Sequence, residues 1–287
     1  MEGAHPLIMQ RLVETNMEQT QGYGNDCHTE NAKRLILSAC GLQEKEGKVF
    51  FLVGGTQTNA TVIDGLLDKH EGVMAAASSH INNHETGAIE ATGHKVLVLP
   101  SKDGKLNADD VKRYIQDFYR DDTFEHMVFP GMVYISHPTE YGTLYTLKEL
   151  QELSEVCREA VVITRRNLLP HFYPLIKQHG ALLAKGRLLG IQFETLFTDN
   201  LYINISRHAI EMAAKLKKAM IGKGYKEYIS STTNQLFFLM DNNEIDRLKE
   251  FATFELWGPR GEMETPVRFV TNWATKEEDI DTFINNL

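Results

Sequence analysis

An apolar run that leads into two glycines and a helical pattern is the segment best suited to bind a ligand. Lys48–Val53 is apolar enough to be a buried strand, and Gly54 and Gly55 follow it directly. Glycine lets a backbone approach a ligand closely, and the first N–H groups of a helix attract anions. The N–H groups of Gly55, Thr56 and Gln57 therefore form a candidate phosphate cradle. An ordinary strand-to-helix turn would have the same pattern.

Two histidines follow the next predicted strand. His80 comes soon after Gly72–Ala77, and ligands of open α/β sheets bind at the carboxyl ends of parallel strands. His80 and His84 have the spacing of a zinc-binding pair on a helix. No third ligand stands out, however, and Glu85 is misplaced for the known zinc motif, so we expect no metal site. The alternative is a structural histidine, with Glu85, Glu90 and His94 solvated or locally hydrogen-bonded. The polar residues 136–143, after another strand, can line the same pocket or form only a turn.

One arginine is placed where a charge needs a partner. Arg268 lies in the middle of an apolar strand pattern, so we expect it to pair with a carboxylate of the protein or of a substrate. Lys185 and Arg187 lie in a helical pattern, where extension of their charged ends into solvent is the simpler interpretation.

The order of the predicted elements indicates an α/β protein. Strands and helices alternate in the first half, which predicts a mostly parallel sheet with helices on both faces. The second half contains long helices and then strands, typical of a smaller α+β domain. We therefore predict domains at 1–180 and 181–287. The remaining predicted strands are Lys95–Leu99, Gly131–Ile135, Gln235–Met240 and Val267–Asn272, and the long helices are Gly180–Phe197 and Tyr202–Gly222.

Composition excludes several classes of protein. The chain has 287 residues and a net charge of -9, which disfavours non-specific nucleic-acid binding. It has no apolar run of membrane-spanning length and no signal-peptide core at its start. Its three cysteines are too few for a disulfide framework. We expect a soluble cytoplasmic protein that binds neither nucleic acid nor membrane.

One junction lacks the residues that normally end a helix. The helical pattern that reaches Arg158 and Glu159 runs directly into a strand pattern at Ala160–Thr164, without Gly, Pro, Asn or Asp between them. This abrupt change indicates that a segment is missing between Glu159 and Ala160.

Taken together, the motifs resemble the threonine aldolase and β-eliminating lyase family of fold-type-I pyridoxal-phosphate (PLP) enzymes. Their order and spacing match over nearly the whole chain. The matching segments are Glu2–Pro6, Leu52–Asn59, His80–Gly87, Pro138–Thr143, Leu183–Arg187 and Val267–Thr271. The resemblance implies a large PLP-binding domain with a smaller C-terminal α+β domain.

The resemblance also implies roles for residues. Gly55, Thr56 and Gln57 would hold the cofactor phosphate, and His80 would stack on the pyridine ring and assist proton transfer. Arg268 would bind the substrate α-carboxylate. Enzymes of this family work as dimers or tetramers with sites at subunit interfaces. The resemblance therefore makes Tyr23, Lys185 and Arg187 candidates for contacts with a neighbouring subunit.

Two family motifs are absent from this sequence. The family has an Asp-Gly-Ala-Arg-like strand, whose Asp pairs with the pyridinium nitrogen, and a Gly-Gly-Thr-Lys-like loop with the Schiff-base lysine. Both would fall at the junction of Glu159 and Ala160. Either the protein has a segment that this sequence omits, such as a loop disordered without cofactor, or the deletion is real and the product is inactive. Loss of central strands would uncover the apolar faces of a parallel sheet, which favours the first explanation.

Three functions remain open at this point. The resemblance implies a PLP-dependent lyase that acts on a small amino acid, by retro-aldol cleavage of a β-hydroxy amino acid or by β-elimination. The alternatives are an inactive paralogue or fragment that acts only by binding or assembly, and an α/β domain that binds another phosphorylated ligand.

Overall fold

The structure is a computed structural model that describes residues 2–160 and 171–287. The helices are α1 (Pro6–Glu14), α2 (Cys27–Ala39), α3 (Gly55–Leu66), α4 (His80–Asn83), α5 (Ala108–Arg120), α6 (Leu147–Ala160), α7 (Phe172–Gln178), α8 (Arg187–Phe197), α9 (Leu201–Gly222), α10 (Asn242–Leu248) and α11 (Glu277–Asn286). The strands are β1 (Glu71–Ala76), β2 (Val96–Leu99), β3 (Phe129–Val133), β4 (Lys226–Ile229), β5 (Gln235–Asp241), β6 (Glu255–Leu256) and β7 (Glu264–Val270). Short 3-10 helices lie at Glu90–Thr92 and Phe124–His126.

A three-stranded parallel sheet organises the first half of the chain. The strand order is β2-β1-β3, so β1 pairs with a parallel neighbour on each side. Gly72 permits the close pairing, because a Cβ at this position would lie 2.6 Å from the carbonyl oxygen of Lys95. Apolar side chains of α5 and α6 cover one face of the sheet, and those of α3 and α4 cover the other. The predicted α/β arrangement is therefore confirmed.

Two helices begin with the caps that their sequences predict. The Asn107 side chain accepts a hydrogen bond from the backbone N–H of Asp109 at the start of α5. At α6, Glu149 Oε2 accepts from the Thr146 N–H at 2.6 Å, and the Glu149 N–H donates to Thr146 Oγ1 at 3.2 Å. The hydrogen bond from Lys105, followed by those of Thr146, lowers the pKa of Glu149 to about 2.

A four-stranded antiparallel sheet organises the second half, in the order β4-β5-β7-β6. Apolar side chains of α9, α10 and α11 pack on one of its faces, around the fully buried Phe238. The predicted α+β character of this half agrees with that packing. Helix α8 packs closely on α2, where a Cβ on Gly190 would lie 2.4 Å from Thr29 Oγ1. The domain division at residues 180 and 181 stays a prediction.

The strand predicted at Lys48–Val53 is wrong: these residues form no strand, although the α3 that follows begins at Gly55 as expected. A strand needs a hydrogen-bonded neighbour, and none of the described strands pairs with this segment. Its apolar side chains are partly buried instead by rings, since Phe50 packs edge-on against Phe172 and Phe51 stacks on Phe193 at 4.6 Å.

Three other predictions needed correction at their boundaries. The helix predicted at Gly180–Phe197 begins only at Arg187, because Gly180 adopts a φ of +66° and ends the preceding α7. Strand β3 begins two residues before the predicted Gly131–Ile135, and β7 begins three residues before Val267. Of the strand predicted at Ala160–Thr164, Ala160 is the last residue of α6, and the other residues lie outside the described part.

A buried histidine ties three parts of the N-terminal half together. Nδ1 of His28 in α2 lies 2.7 Å from Glu194 Oε2 in α8, and Nε2 lies 2.8 Å from Glu18 Oε2 after α1. Burial opposes the charge on His28, but the two carboxylates outweigh burial and raise its pKa. The hydrogen bond with His28 also lowers the pKa of Glu18. Protonated His28 therefore stabilises the packing of α2 on α8.

We expect this contribution to decline with rising pH. The pKa of His28 in the folded state lies above its ordinary value of 6.5. The stabilisation is therefore complete below that pH and is lost as pH rises through the folded pKa. In urea titrations, the wild type should have a larger free energy of unfolding than His28→Asn. The difference should be greatest at about pH 6 and should shrink at higher pH. His126→Asn, at an exposed position, is the control. A difference that is independent of pH would contradict the assignment.

Candidate active site

A cavity of about 1130 Å³ lies between the carboxyl ends of β1 and β3 and the antiparallel sheet. Gly55 of α3, His80 of α4 and Arg268 of β7 all line it. These three positions come from separate regions of the sequence, and the packing of the two sheets brings them together. Residues of the loop 136–143 line the same cavity, as one of the two interpretations of that loop expected.

Among the described residues, the backbone donors of the phosphate cradle predicted at the start of α3 have no partner, and the space beside its glycines is open. The first backbone hydrogen bond of the helix runs from Thr58 N–H to the Gly54 carbonyl at 3.0 Å, so the N–H groups of Gly55, Thr56 and Gln57 precede it. No side chain caps this helix at Gly54. A Cβ built on Gly54 or Gly55 would meet nothing within 4 Å. The helix end is therefore accessible to an anion.

His80 is held by a buried carboxylate. Its Nδ1 lies 2.8 Å from Glu85 Oε1, and the same oxygen accepts a hydrogen bond from Asn59 Nδ2 at 2.7 Å. The side chain of Glu85 is completely buried, whereas 47% of the His80 side chain is exposed. Of the two alternatives for Glu85, solvated or locally hydrogen-bonded, the structure has the second, with the side chain buried. The ring of His80 is anchored at one nitrogen and open to the cavity.

A second carboxylate joins the ends of β1 and β3. Glu140 Oε1 accepts hydrogen bonds from the His80 backbone N–H at 2.8 Å and from Ser136 Oγ at 2.6 Å. Tyr134 stands beside this pair, with its hydroxyl 3.4 Å from Asn59 Nδ2. Burial raises the pKa of Tyr134, so its phenol stays protonated at neutral pH. The loop after β3 thus fixes the start of α4.

Arg268 has a protein carboxylate beside it. One guanidinium nitrogen, Nη1, donates to Gln235 Oε1 at 3.2 Å, and the other, Nη2, pairs with the carboxylate of Glu255. The guanidinium carbon lies 4.8 Å from the centre of the Trp257 ring. Nε is buried and has no hydrogen-bond partner among the described residues. Glu255 is largely exposed, so an incoming carboxylate can take its place.

The three candidates for contacts with a neighbouring subunit lie outside this cavity. Tyr23 lines a separate small cavity, where Lys177 Nζ lies 4.6 Å from the centre of its ring. Lys185 and Arg187 line another cavity near α1. Arg187 does not extend into solvent; its guanidinium donates to the backbone carbonyls of Thr15 and Glu18 of its own chain. A role toward a neighbouring subunit stays a prediction for all three.

His80 and His84 face each other, with ring centres 5.6 Å apart. Over residues 2–160 and 171–287, no three histidine, cysteine or carboxylate side chains are grouped so that they could hold a metal ion. In the same part of the chain, no helix has the length and apolar character needed to cross a membrane.

The cavity wall fits parts of a PLP complex. Buried polar atoms of three lining residues, Ser78 Oγ, Glu85 Oε2 and Arg268 Nε, have no hydrogen-bond partner within the described chain, and such atoms are costly unless a ligand satisfies them. The open cradle suits a phosphate, His80 suits a ring face, and Arg268 suits a carboxylate. Among the described residues that line the cavity there is no lysine and no aspartate, so the Schiff-base and pyridinium partners are not supplied by them.

Several lining residues were missed from the sequence. Asn59 is the one with a local signal, because it lies four residues after Gly55 and so on the same face of α3. Tyr134 and Trp257 enter the cavity only through contacts between distant segments. No pattern near them in the sequence indicates this.

Comparison with known proteins decides the family. The family described as beta-eliminating lyase matches residues 4–163, more than half of the chain. The chain belongs to the beta-eliminating lyase family. The resemblance inferred from the motifs, and with it the lyase class of function, is confirmed.

Named relatives are threonine aldolases. The low specificity L-threonine aldolases of Pseudomonas sp. (strain NCIMB 10558) and of Pseudomonas aeruginosa are both 23% identical to this chain. The first alignment covers 96% of this chain and 91% of the relative, and the second covers 97% and 92%. The chain thus matches nearly the whole length of these relatives.

Solved structures agree with the assignment. The threonine aldolase of Leishmania major is 36% identical, with a TM-score of 0.91 over 99% of this chain and 95% of that one. A serine palmitoyltransferase of S. paucimobilis with bound PLP is 12% identical, with a TM-score of 0.67 over 98% and 82%. The fold is therefore that of the fold-type-I PLP enzymes, as predicted.

The first Pseudomonas alignment is longer than this chain. It runs over 328 residues, which is more than the 287 residues of this chain. Since 96% of 287 is about 276, some 52 of the 328 aligned positions have no residue of this chain.

The cradle assignment predicts that a negative charge at its rim will block phosphate binding. We expect Thr56→Glu to weaken binding of PLP more than tenfold, while stability is kept because a carboxylate in the first turn of a helix is favourable. Thr56→Gln has the same size without the charge and is the matched control. Affinity is measured by calorimetry and stability by urea unfolding. Equal affinities for the two variants would exclude the α3 cradle as the phosphate site.

Proposed function

We propose that this protein is a PLP-dependent lyase that splits the Cα–Cβ bond of a small β-hydroxy amino acid, as a threonine aldolase does. The carrying observation is the cavity in which Gly55 at the start of α3, His80 and Arg268 meet. The relatives named as threonine aldolases favour aldol cleavage over β-elimination.

Binding follows from the positions of the three groups. The N–H groups of Gly55, Thr56 and Gln57 would hold the cofactor phosphate, and His80 would contact the cofactor ring. Arg268 binds the substrate α-carboxylate, and a planar guanidinium can do so with two parallel hydrogen bonds. Because Glu255 pairs with Arg268, the substrate carboxylate competes with that side chain.

Cleavage of the Cα–Cβ bond requires an electron acceptor and a proton acceptor. Bound PLP supplies the electron sink that stabilises negative charge at Cα. His80 accepts the proton of the substrate β-hydroxyl, the Cα–Cβ bonding electrons remain on Cα, and an aldehyde leaves. For a substrate with a β leaving group, the same cavity would serve loss of the Cα proton and elimination.

The proposal requires a lysine that no described residue of the cavity supplies. We place it, with the aspartate for the pyridinium nitrogen, in a segment of the intact protein between Glu159 and Ala160. The absence of a lysine from the cavity wall favours a second candidate function, a non-catalytic paralogue or fragment that binds or assembles. The two candidates differ in mass and in covalent chemistry.

We further propose a cytoplasmic homodimer or homotetramer, with a large domain at residues 1–180 and a small one at 181–287. Free thiols at Cys27, Cys40 and Cys157 support a reducing compartment. The exposed apolar side chains of Met9, Val13 and Met17, spaced four residues apart along and just after α1, support a subunit contact.

The mass of the intact protein separates the two candidates. We expect a mass several kilodaltons above the 32.6 kDa of this sequence, and a yellow PLP adduct that borohydride attaches to one lysine of the additional segment. Peptide mapping by mass spectrometry locates it. A mass of 32.6 kDa without a trapped adduct would refute the lyase proposal and support the non-catalytic candidate.

Variants at Arg268 test carboxylate binding. We expect Arg268→Gln to raise KM for the amino acid by about 10- to 100-fold with little change in kcat, which corresponds to one lost charge-assisted interaction of about 1.5–3 kcal/mol. Glu255→Gln removes the competing carboxylate and should lower KM. A loss of stability in Arg268→Gln with unchanged KM would show that the arginine is only structural.

A further inference from the structure

The Glu85–His80 pair carries an inference that deepens the proposed function and rests on it. His80 follows β1 at the start of α4, and its Nδ1 lies 2.8 Å from Glu85 Oε1. Glu85 is completely buried. One end of an otherwise exposed ring is thus attached to a side chain that packing holds in place.

The contact with Asn59 indicates whether Glu85 or His80 Nδ1 carries the proton of the hydrogen bond between them. Its side-chain nitrogen Nδ2 can only donate, and it donates to Glu85 Oε1 at 2.7 Å. An Oε1 that carries no proton has only lone pairs, so it accepts from Asn59 and from His80 alike. This holds whether the carboxyl group is ionised or carries a proton on Oε2. Nδ1 of His80 is consequently the protonated ring nitrogen.

The other nitrogen of the ring is then the one free to react. A neutral imidazole has one N–H and one lone pair, so Nε2 carries the lone pair when Nδ1 carries the proton. Within the described chain Nε2 has no hydrogen-bond partner, and His80 lines the cavity. Glu85 Oε2 is also buried and without a hydrogen-bond partner there.

We infer that Glu85 is a positioning residue, which orients His80 through Nδ1 and presents Nε2 to the substrate as the proton acceptor. When Nε2 takes the proton, the ring becomes positive while its Nδ1–H remains bonded to Glu85, and the hydrogen bond becomes charge-assisted on both sides. The reaction then needs no rotation of the ring. Asn59 keeps Glu85 in the orientation that this arrangement requires.

Two substitutions of Glu85 separate its effect on the orientation of His80 from the effect of its charge. In Glu85→Gln the amide oxygen can still accept from Asn59 and His80, whereas a flipped amide would set two NH₂ groups against each other. This variant keeps the tautomer and loses the charge. Glu85→Ala loses both. Glu90→Ala, at an exposed glutamate five residues on, is the control and should equal the wild type.

The tautomer of His80 is measured directly by nitrogen NMR of the protein with its 11 histidines labelled. The signals of His80 are those that disappear in His80→Gln. We expect protonated Nδ1 in the wild type and in Glu85→Gln, and protonated Nε2, the form favoured by free histidine, in Glu85→Ala. In the active holoenzyme, kcat/KM should fall about 100-fold or more in Glu85→Ala and about tenfold in Glu85→Gln.

Protonated Nε2 in the wild type, or an unchanged tautomer in Glu85→Ala, would overturn the inference, as would equal kcat/KM in all variants. If Glu85→Ala does not fold, Glu85→Gln still decides, because a changed tautomer in that variant contradicts the role assigned to Asn59. Failure of the protein to cleave any β-hydroxy amino acid, with the tautomers as expected, would refute the proposed function and leave the positioning of His80 by Glu85 supported.

Discussion

Parallel hydrogen bonding of β1 on both of its edges is the interaction on which the site depends. It places the carboxyl ends of β1 and β3 side by side, so that α4 and the loop after β3 meet. Glu140 then links the two by accepting from the His80 backbone and from Ser136. Without that pairing, the two segments, which lie some fifty residues apart in the sequence, would have no reason to be neighbours.

The antiparallel sheet completes the cavity from the other side. Ser231, before β5, donates a hydrogen bond to the Gly142 carbonyl at 3.0 Å. A Cβ on Gly142 would lie 2.5 Å from the Ser231 hydroxyl oxygen, and the φ of +67° at this glycine also disfavours a side chain. The loop after β3 therefore contacts the second sheet closely. This contact sets Arg268 of β7 across the cavity from His80.

Local chemistry explains why much of the fold was predictable. Apolar periodicity depends on residues within a few positions, so the three parallel strands and α9 were found with errors of only one or two residues at their ends. The strand prediction that failed depends on a hydrogen-bonded partner elsewhere in the chain. Lys48–Val53 has the composition of a strand, but a strand also needs a neighbour, and the described strands offer none.

The same distinction separates the parts of the site. The sequence by itself determined the open helix end at Gly55, the histidine after a strand end, the arginine within a strand, and the absence of the lysine and aspartate motifs between Glu159 and Ala160. Only the tertiary structure decided that Glu85 is buried against His80 and Asn59, and that Glu255 pairs with Arg268. The physical reason is that backbone conformation follows from near neighbours, whereas burial and charge pairing depend on segments that meet only when the chain has folded.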